Sequence, residues 1–519
     1  MSDRHPKGDG SDQEMKTGRG AKSNVRCWQF AALGIVLLTV LTRLPALLHP
    51  QPIDDEAVYS VVANEIVDGG RPYVDAADRK PPLLFWTYAA VFKAAGKYNW
   101  KALHLVALLW TLGTMGGLYF IGKELFGCET GLIAALLYSI FQPWMSWKNL
   151  GLNGELLMNF PLVWAWAIGL RRTASRTRPE LLAAGALLCA AFLLKQPGAI
   201  AAVPLGIYFL LPSYRATRGL RPGASLLHLA MLVAGFFGSL ALVILVLWHQ
   251  GILYDAFYWT VAAHTVPYVF WTTAAIHTLA FAGICWPIVL GAAMAVRDRE
   301  RVWRGVEAER IALLLLFLAS AVGVSAGGRF YPHYYIQLVP PLTLLAAPYF
   351  ARFLFSSIQP RPWWRSPAVM SSWLAFTVVA FFIADWILLV PERAPSEAGQ
   401  FLLKHSTVED RIFVWGHQAK IYLDARRQPA SRYILTFPLT GYIFGDPSPG
   451  VDTWNRIMSG AWATLEEDFG KHPPTYIVDV QSGRNSRYPA QDFPVLARLL
   501  AERYLPVTRT REGVIYRLR

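Results

Sequence analysis

Asp54, Asp55 and Glu56 follow directly on the first apolar stretch of this 519-residue chain. Arg79 and Lys80 come later, just before Pro81, Pro82 and the next apolar run. A carboxylate can take a proton from a hydroxyl, and a lysine or arginine can hold a phosphate. Such groups, placed where an apolar segment meets water, suit chemistry on a lipid headgroup. Asp54 or Asp55 can also N-cap a helix that starts at Glu56. One cap suffices, and three consecutive acids are more than capping needs.

The helix is predicted from Tyr59, Val62, Ala63, Ile66 and Val67, spaced i, i+3, i+4, i+7, i+8 and closed by Gly69-Gly70. That apolar stripe predicts a helix lying flat on a membrane surface. The two prolines after Lys80 stiffen the chain and fix where the lysine points.

The rest of the sequence supplies the membrane. Hydrophobic residues make up 54% of the chain, charged ones only 16%, and the apolar residues come in long blocks. About 20 apolar residues cross a bilayer. Eleven spans are predicted, at roughly 28–49, 101–122, 129–147, 154–170, 180–195, 197–213, 225–248, 274–296, 309–326, 334–350 and 369–391. A shorter apolar segment, Pro81–Ala95, predicts an interfacial or half-buried helix.

The net charge of +14 comes from bases in alternate short loops, the positive-inside pattern, which argues against nucleic-acid binding. With the N-terminus inside, the arginine-rich loops at 171–178, 214–222, 297–304 and 352–365 are cytoplasmic, and the C-terminus is outside. Residues 1–27 read as a disordered cytoplasmic tail, 28–391 as the membrane domain with a first external loop at 50–82, and 392–519 as an outer α/β domain. In that domain RIFVWG, TYIVDV and GVIYRL read as strands and FPVLARLLAERY as a helix. The four cysteines form no disulfide framework or CxxC metal pair.

Further polar residues fall at the outer ends of spans. Glu155 starts the fourth, either as a site carboxylate or as a helix-start acid favoured by the dipole. Lys195 ends the fifth, as a phosphate ligand or a snorkelling lysine. Arg329 follows Gly327-Gly328 and precedes Tyr331, His333 and Tyr334. An arginine framed this way suits a phosphate or sugar contact. His264 lies in an aromatic loop, and Trp415, His417, Arg426, Arg427, Arg432 and Tyr433 cluster in the outer domain, where they cover the site or simply face solvent.

The stretch DEAVYSVVANEIVDGGRPYVDAADRKPPLLFW, from Asp55 to Trp86, resembles the first external loop of GT-C glycosyltransferases, the superfamily of protein O-mannosyltransferases and lipid A aminoarabinose transferases. GGRFYPHYYIQLVPPL resembles a later stretch of bacterial members. The resemblance implies a polytopic α-helical GT-C protein of about eleven spans with an extracytoplasmic α/β domain. It implies an inverting transfer of sugar from a polyprenyl-phosphate carrier to an envelope acceptor: lipid A, another glycan, a lipid or a protein. The matched aspartate is Asp55, the implied general base. Asp54 is its neighbour or substitute, Glu56 a residue that orients the site, and Glu155 a second acid. Lys80 and Arg79, with Lys195 and Arg329, are expected to bind the donor phosphate. Tyr59, Tyr331, His333 and Tyr334 are expected sugar or lipid contacts.

No metal-ligand spacing is present. Asp54, Asp55 and Glu155 together are enough acids to hold a divalent ion, but a monophosphate donor with basic neighbours does not require one. The expected location is the bacterial inner (plasma) membrane, with membrane lipids around the spans and the site on the outer face. Two other classes compete: a transporter or flippase of a lipid-linked sugar, and a non-catalytic scaffold. The first should carry mid-membrane ionisable groups and repeated halves; the second leaves the Asp54–Lys80 loop unexplained.

Overall fold

The computed structural model describes residues 10–53, 55–143, 146–172, 178–263, 269–355, 367–392, 394–442 and 453–519. The chain opens with α1 (Gly10–Leu48), whose part from Trp28 to Leu48 is apolar. Residues 10–27 read in the sequence as part of a disordered tail; their backbone continues this helix. Extending an existing helix fixes one residue per hydrogen bond, which is far cheaper than nucleating a new one.

The segment predicted as the first external loop holds α2 (Glu56–Val67) and leads into α3 (Pro82–Ala95). The bundle continues with α4 (Trp100–Phe126), α5 (Cys128–Phe141), α6 (Gly154–Leu170), α7 (Arg178–Leu194) and α8 (Gly198–Leu210). Later helices include Pro222–His249, Trp271–Ile284, Trp286–Arg297, Glu307–Ser325, Val339–Phe355 and Pro367–Glu392.

By length and composition, four helices among the described residues can cross a membrane: Trp28–Leu48, α4, Pro222–His249 and Glu307–Ser325. Two bent helix pairs pass the same test when each is taken as one unit. Gly198–Leu210 turns by 56° into Pro212–Arg218, and Trp271–Ile284 by 76° into Trp286–Arg297. The 17 residues of α6 rise only about 25 Å, short of a full hydrocarbon core. Close packing holds the bundle where lipid offers no hydrophobic drive between helices. A Cβ on Gly185 of α7 would lie 2.1 Å from the Leu232 carbonyl, and one on Gly235 would lie 2.1 Å from the Leu182 carbonyl. Only glycine allows α7 and Pro222–His249 to approach so nearly.

The C-terminal part forms a five-stranded mixed sheet, ordered β2-β1-β3-β5-β4. Its strands are β1 (Arg411–Trp415), β2 (Gln428–Pro429), β3 (Tyr476–Val480), β4 (Tyr504–Arg509) and β5 (Gly513–Leu518). Strand β1 pairs parallel with β2 and β3, while β5 pairs antiparallel with β3 and β4. The helix Pro494–Arg503 turns Leu496 and Leu500 inward. The three strands read from sequence are β1, β3 and β5. The sequence reading missed β2, which is two residues long, and β4, whose residues 505–507 are exposed. An exposed edge strand carries little apolar alternation.

The sheet does not hang from a linker. One apolar core runs from Tyr59, Leu84 and Phe85 of the first loop to Phe413, Val414 and Trp415 of β1. The Ala77 amide donates to the Arg432 carbonyl at 2.9 Å, a bridge between loop and sheet domain. This corrects the expectation for α2. Its apolar stripe predicted a surface helix with one wet face, yet every residue from Glu56 to Glu65 is buried. The polar face is covered too: Arg411 of β1 lies 3.8 Å from Glu65, and the Gln428 amide donates to Asp68 at 2.8 Å. Periodicity reports the stripe and is silent on what covers the opposite face.

Candidate active site

A cavity of about 700 Å³ opens between the first loop, the loop after Glu307–Ser325 and the sheet domain. Asp55, Tyr59, Arg79, Lys80, Arg329 and His333 line it, as do Tyr331 and Tyr334. The fold therefore gathers eight of the twelve predicted site residues on one surface. Glu56, Glu155 and Lys195 lie behind that surface. Asp54 and His264 lie outside the described residues.

Asp55 occupies the N-cap position of α2, but its side chain makes no capping hydrogen bond. Its carboxylate is free for other work. The side chain keeps 37% of its surface exposed. The Tyr59 hydroxyl, one helical turn on, donates to Asp55 Oδ2 at 3.0 Å. His333 Nε2 lies 3.8 Å from the same oxygen. Burial by itself would raise the Asp55 pKa. The charges of Lys80, His333, Lys195 and Lys148 outweigh it and hold the carboxyl well below its ordinary range. Burial and the adjacent Asp55 charge push Tyr59 the other way, so it stays a donor.

Lys80 sits where the sequence implied. As the residue before a proline it is confined to extended backbone. Its carbonyl accepts from Tyr73 at 2.8 Å, and Tyr73 holds φ +71°. The ammonium lies 3.1 Å from Asp78 Oδ2 and 5.4 Å from the centre of the Tyr59 ring. Arg79 goes to a different wall. Its guanidinium stacks 4.3 Å over Phe437 of the sheet domain, and its carbonyl accepts from Gln196 at 2.7 Å. Burial and nearby Arg329 lower the Arg79 pKa to about 10, leaving it charged at neutral pH. Arg329 follows Gly328 at φ +65° and precedes Phe330 at φ +50°. A non-glycine residue in that region is uncommon. The Phe330 carbonyl is fixed 2.6 Å from His277 Nδ1, so the turn that presents Arg329 is held from behind.

Below the cavity the acids tie elements together. Glu56 accepts from the Ile53 amide at 2.8 Å and the Leu152 amide at 2.6 Å, and lies 3.1 Å from His104 Nε2. His104 Nδ1 is 2.8 Å from the Ala46 carbonyl, so the cluster ties the end of α1 to α2, α4 and the start of α6. Glu155 and Lys195 form a buried ion pair at 2.6 Å, with Lys195 also 4.9 Å from the Tyr334 ring centre. Neither reading of Glu155, site acid or helix-start acid, foresaw this bond across two helices. Tyr331 stacks on His333, and Tyr334 meets His333 edge-on at 4.9 Å.

The sequence reading missed Asp78 and Lys148, which line the cavity, as do Ser396, Lys420, Arg511 and Glu512 of the sheet domain. Asp78 had a signal, lying two residues before Lys80. Lys148 had the signal of a base in an outer loop where bases are few. His417 lines the cavity too, and burial lowers its pKa to about 4. Of the other outer-domain residues singled out, Trp415 is core, Arg432 pairs with Asp468 at 2.8 Å, and Arg427 donates to Ser406. Among the described residues no three acids, histidines or cysteines come together as a metal site.

Residues 79–249 match the sequence profile of the dolichyl-phosphate-mannose-protein mannosyltransferase family. Among solved structures, ArnT from Cupriavidus metallidurans bound to undecaprenyl phosphate superposes with a TM-score of 0.58 at 14% identity, covering 96% of this chain and 98% of that one. The chain shares the fold of that structure over nearly its whole length. The Archaeoglobus fulgidus oligosaccharyltransferase in its apo form aligns at TM-score 0.53 and 14% identity, over 87% of this chain and 69% of that one. The same archaeon's AglB, with an inhibitory peptide and a dolichol-phosphate, aligns at 0.51 and 12% over 90% and 72%. No curated protein matches by sequence. In this chain the helical bundle, the long loop after α1 and the C-terminal sheet meet at one cavity.

Proposed function

We propose that the protein is an inverting glycosyltransferase that moves a sugar from a polyprenyl-phosphate donor to an envelope acceptor outside the membrane. The observation that carries this reading is the Asp55 carboxylate, uncommitted to capping and set among cations in a cavity between bundle and sheet domain. Asp55 takes the proton of the acceptor hydroxyl. That oxygen attacks the anomeric carbon, and the bond from the anomeric carbon to the phosphate oxygen breaks with its electron pair leaving on the polyprenyl phosphate. Lys80, with Arg79, Lys148 and Arg329 lining the same cavity, stabilises the leaving charge. Tyr59 occupies Oδ2 of Asp55 and so leaves Oδ1 for the acceptor. Glu56, Glu155 and Lys195 hold the walls in place.

A carboxylate so strongly favoured by cations is a weak base. Arrival of the donor phosphate offsets those cations and restores basicity at Asp55, which couples donor binding to acceptor activation. Relatives crystallised with undecaprenyl phosphate or dolichol-phosphate support a lipid phosphate as the carrier. We assign eleven spans with the N-terminus in the cytoplasm, a membrane domain over 28–391, and an outer domain over 392–519 at the inner membrane. The positive-inside charge alternation supports that topology.

The test is release of free polyprenyl phosphate from a panel of polyprenyl-phosphate sugars by purified protein, wild type and Asp55→Asn. Release by wild type alone supports the reading and names the sugar. A folded wild type that consumes no donor in the panel returns the transporter and scaffold readings.

A further inference from the structure

His104 is buried near the start of α4, and its ring faces two acceptors. Nδ1 lies 2.8 Å from the Ala46 carbonyl, and Nε2 lies 3.1 Å from Glu56 Oε2. A neutral imidazole has one N–H and one lone pair, so it can donate to only one of the two. Two acceptors on one ring call for two N–H groups. That is one proton more than a neutral ring beside a carboxylate supplies. Imidazole is ordinarily a stronger base than a glutamate carboxylate, which puts that proton on the ring. The other titratable or charged groups around the pair are turned to other acceptors. The Tyr88 hydroxyl of α3 donates to the Leu152 carbonyl at 2.6 Å, and Arg43 of α1 donates to the Leu150 carbonyl at 2.9 Å. Asp55 faces the cavity.

The carboxylate beside that ring shapes the backbone that carries Asp55. Glu56 Oε2 accepts from the Ile53 amide at 2.8 Å, while the Glu56 amide donates to the Ile53 carbonyl at 3.1 Å. The turn that bears Asp55 is therefore closed twice between its ends. Oε1 accepts from the Leu152 amide at 2.6 Å, and the carboxyl carbon lies against Gly151, where a Cβ would come within 3.0 Å. Asp55 makes no capping bond of its own, so this turn sets its direction. A ring without the second proton would leave the buried Glu56 charge unpaired, which is costly.

We propose that His104 is a positioning residue for the transfer: it carries a second ring proton that it shares with Glu56, and the pair fixes the turn that aims Asp55 into the cavity. The effect on rate rests on the transferase reading and deepens it. The proton does not depend on that reading.

The experiment uses the full chain in detergent, with isotope-labelled histidine ring nitrogens followed by NMR. At about pH 8, above the ordinary histidine range, wild type is expected to show an imidazolium signal that His104→Gln removes. If no such signal is seen, or His104→Gln leaves it in place, the proposal is overturned. Rates then separate positioning from packing. Glutamine keeps a donor where Nε2 faces Glu56, whereas the shorter asparagine reaches only toward Ala46. His104→Asn should lower kcat for donor consumption roughly 10- to 100-fold, the scale of a reacting group misplaced by about 1 Å. Its affinity for undecaprenyl phosphate should change less than about threefold. His104→Gln should recover most of the lost rate. If both variants lose rate, affinity and thermal stability together, His104 only packs the bundle, and the positioning role is overturned. If wild type consumes no donor, the transferase reading falls and the positioning role with it, while the imidazolium signal still decides the shared proton.

Discussion

The acids lining the cavity and the acids beneath it differ in one respect, and it separates chemistry from support. Glu56 and Glu155 are buried and tie elements together: one holds two backbone amides and sits beside His104, the other pairs with a lysine at 2.6 Å. Asp55, next in the chain to Glu56, faces the cavity with the Tyr59 hydroxyl bonded at 3.0 Å and His333 at 3.8 Å. Adjacent residues at a helix start point in different directions, so neighbouring acids received different work. A group that must gain and lose a proton needs to face its substrate, whereas a group that joins elements is buried among its partners.

Substitutions can break that comparison, beginning with the largest effect. Asp55→Asn should reduce donor consumption by roughly 10²–10⁴-fold, the usual contribution of a positioned general base. Its thermal unfolding should stay close to wild type, since the side chain caps nothing. A large loss of stability in Asp55→Asn would place it with Glu56 and dissolve the distinction. Glu155→Ala should show the opposite pattern. It strands the Lys195 ammonium in the interior, which costs about 3–5 kcal/mol. A lowered unfolding temperature is expected, with recovery in Glu155→Gln combined with Lys195→Met.

Lys80→Gln should lower undecaprenyl-phosphate affinity by roughly 10- to 100-fold, the worth of one charge-assisted hydrogen bond. Titration of the purified variant checks this. A smaller effect concerns pH. Burial raises the Glu65 pKa to about 7, against the opposing pull of Arg411. The folded protein then holds a proton that the unfolded chain loses near pH 4.3. The Glu65 contribution to stability is full below the unfolded value and is lost as pH rises to about 7. Glu65→Gln should flatten the pH dependence of unfolding between these limits, and an unchanged slope would remove Glu65 from the loop–sheet contact. Asp55 has the opposite sign. Its folded pKa is depressed, so its contribution is present above the ordinary carboxylate range and lost only in strong acid. An acid limb in kcat/KM near pH 5–7 would have to come from another group.

Much of the site was legible because its residues lie in one segment. Asp55, Tyr59, Arg79 and Lys80 fall within 26 residues of sequence, between two apolar runs that fix their depth. Glycines and prolines around them mark where the backbone must turn. Arg329 was legible for the same local reason, framed by Gly327-Gly328 and aromatics. Asp78 and Lys148 were not, because a lone polar residue in a loop carries no period or motif. The sheet-domain wall was equally hidden: Ser396 and Arg511 lie near opposite ends of the C-terminal part in sequence and meet at the cavity.

The sequence by itself determined the chemistry available and the apolar blocks between which it gathers. Apolar block length sets which helices can span a bilayer, and residue type sets what a group can bind. Tertiary structure decided which acid is free, which lysine is sealed in an ion pair, and that the sheet domain closes over α2. Those outcomes depend on which partner arrives from far along the chain to fill a carboxylate or cover a face. Short-range spacing encodes none of those arrivals.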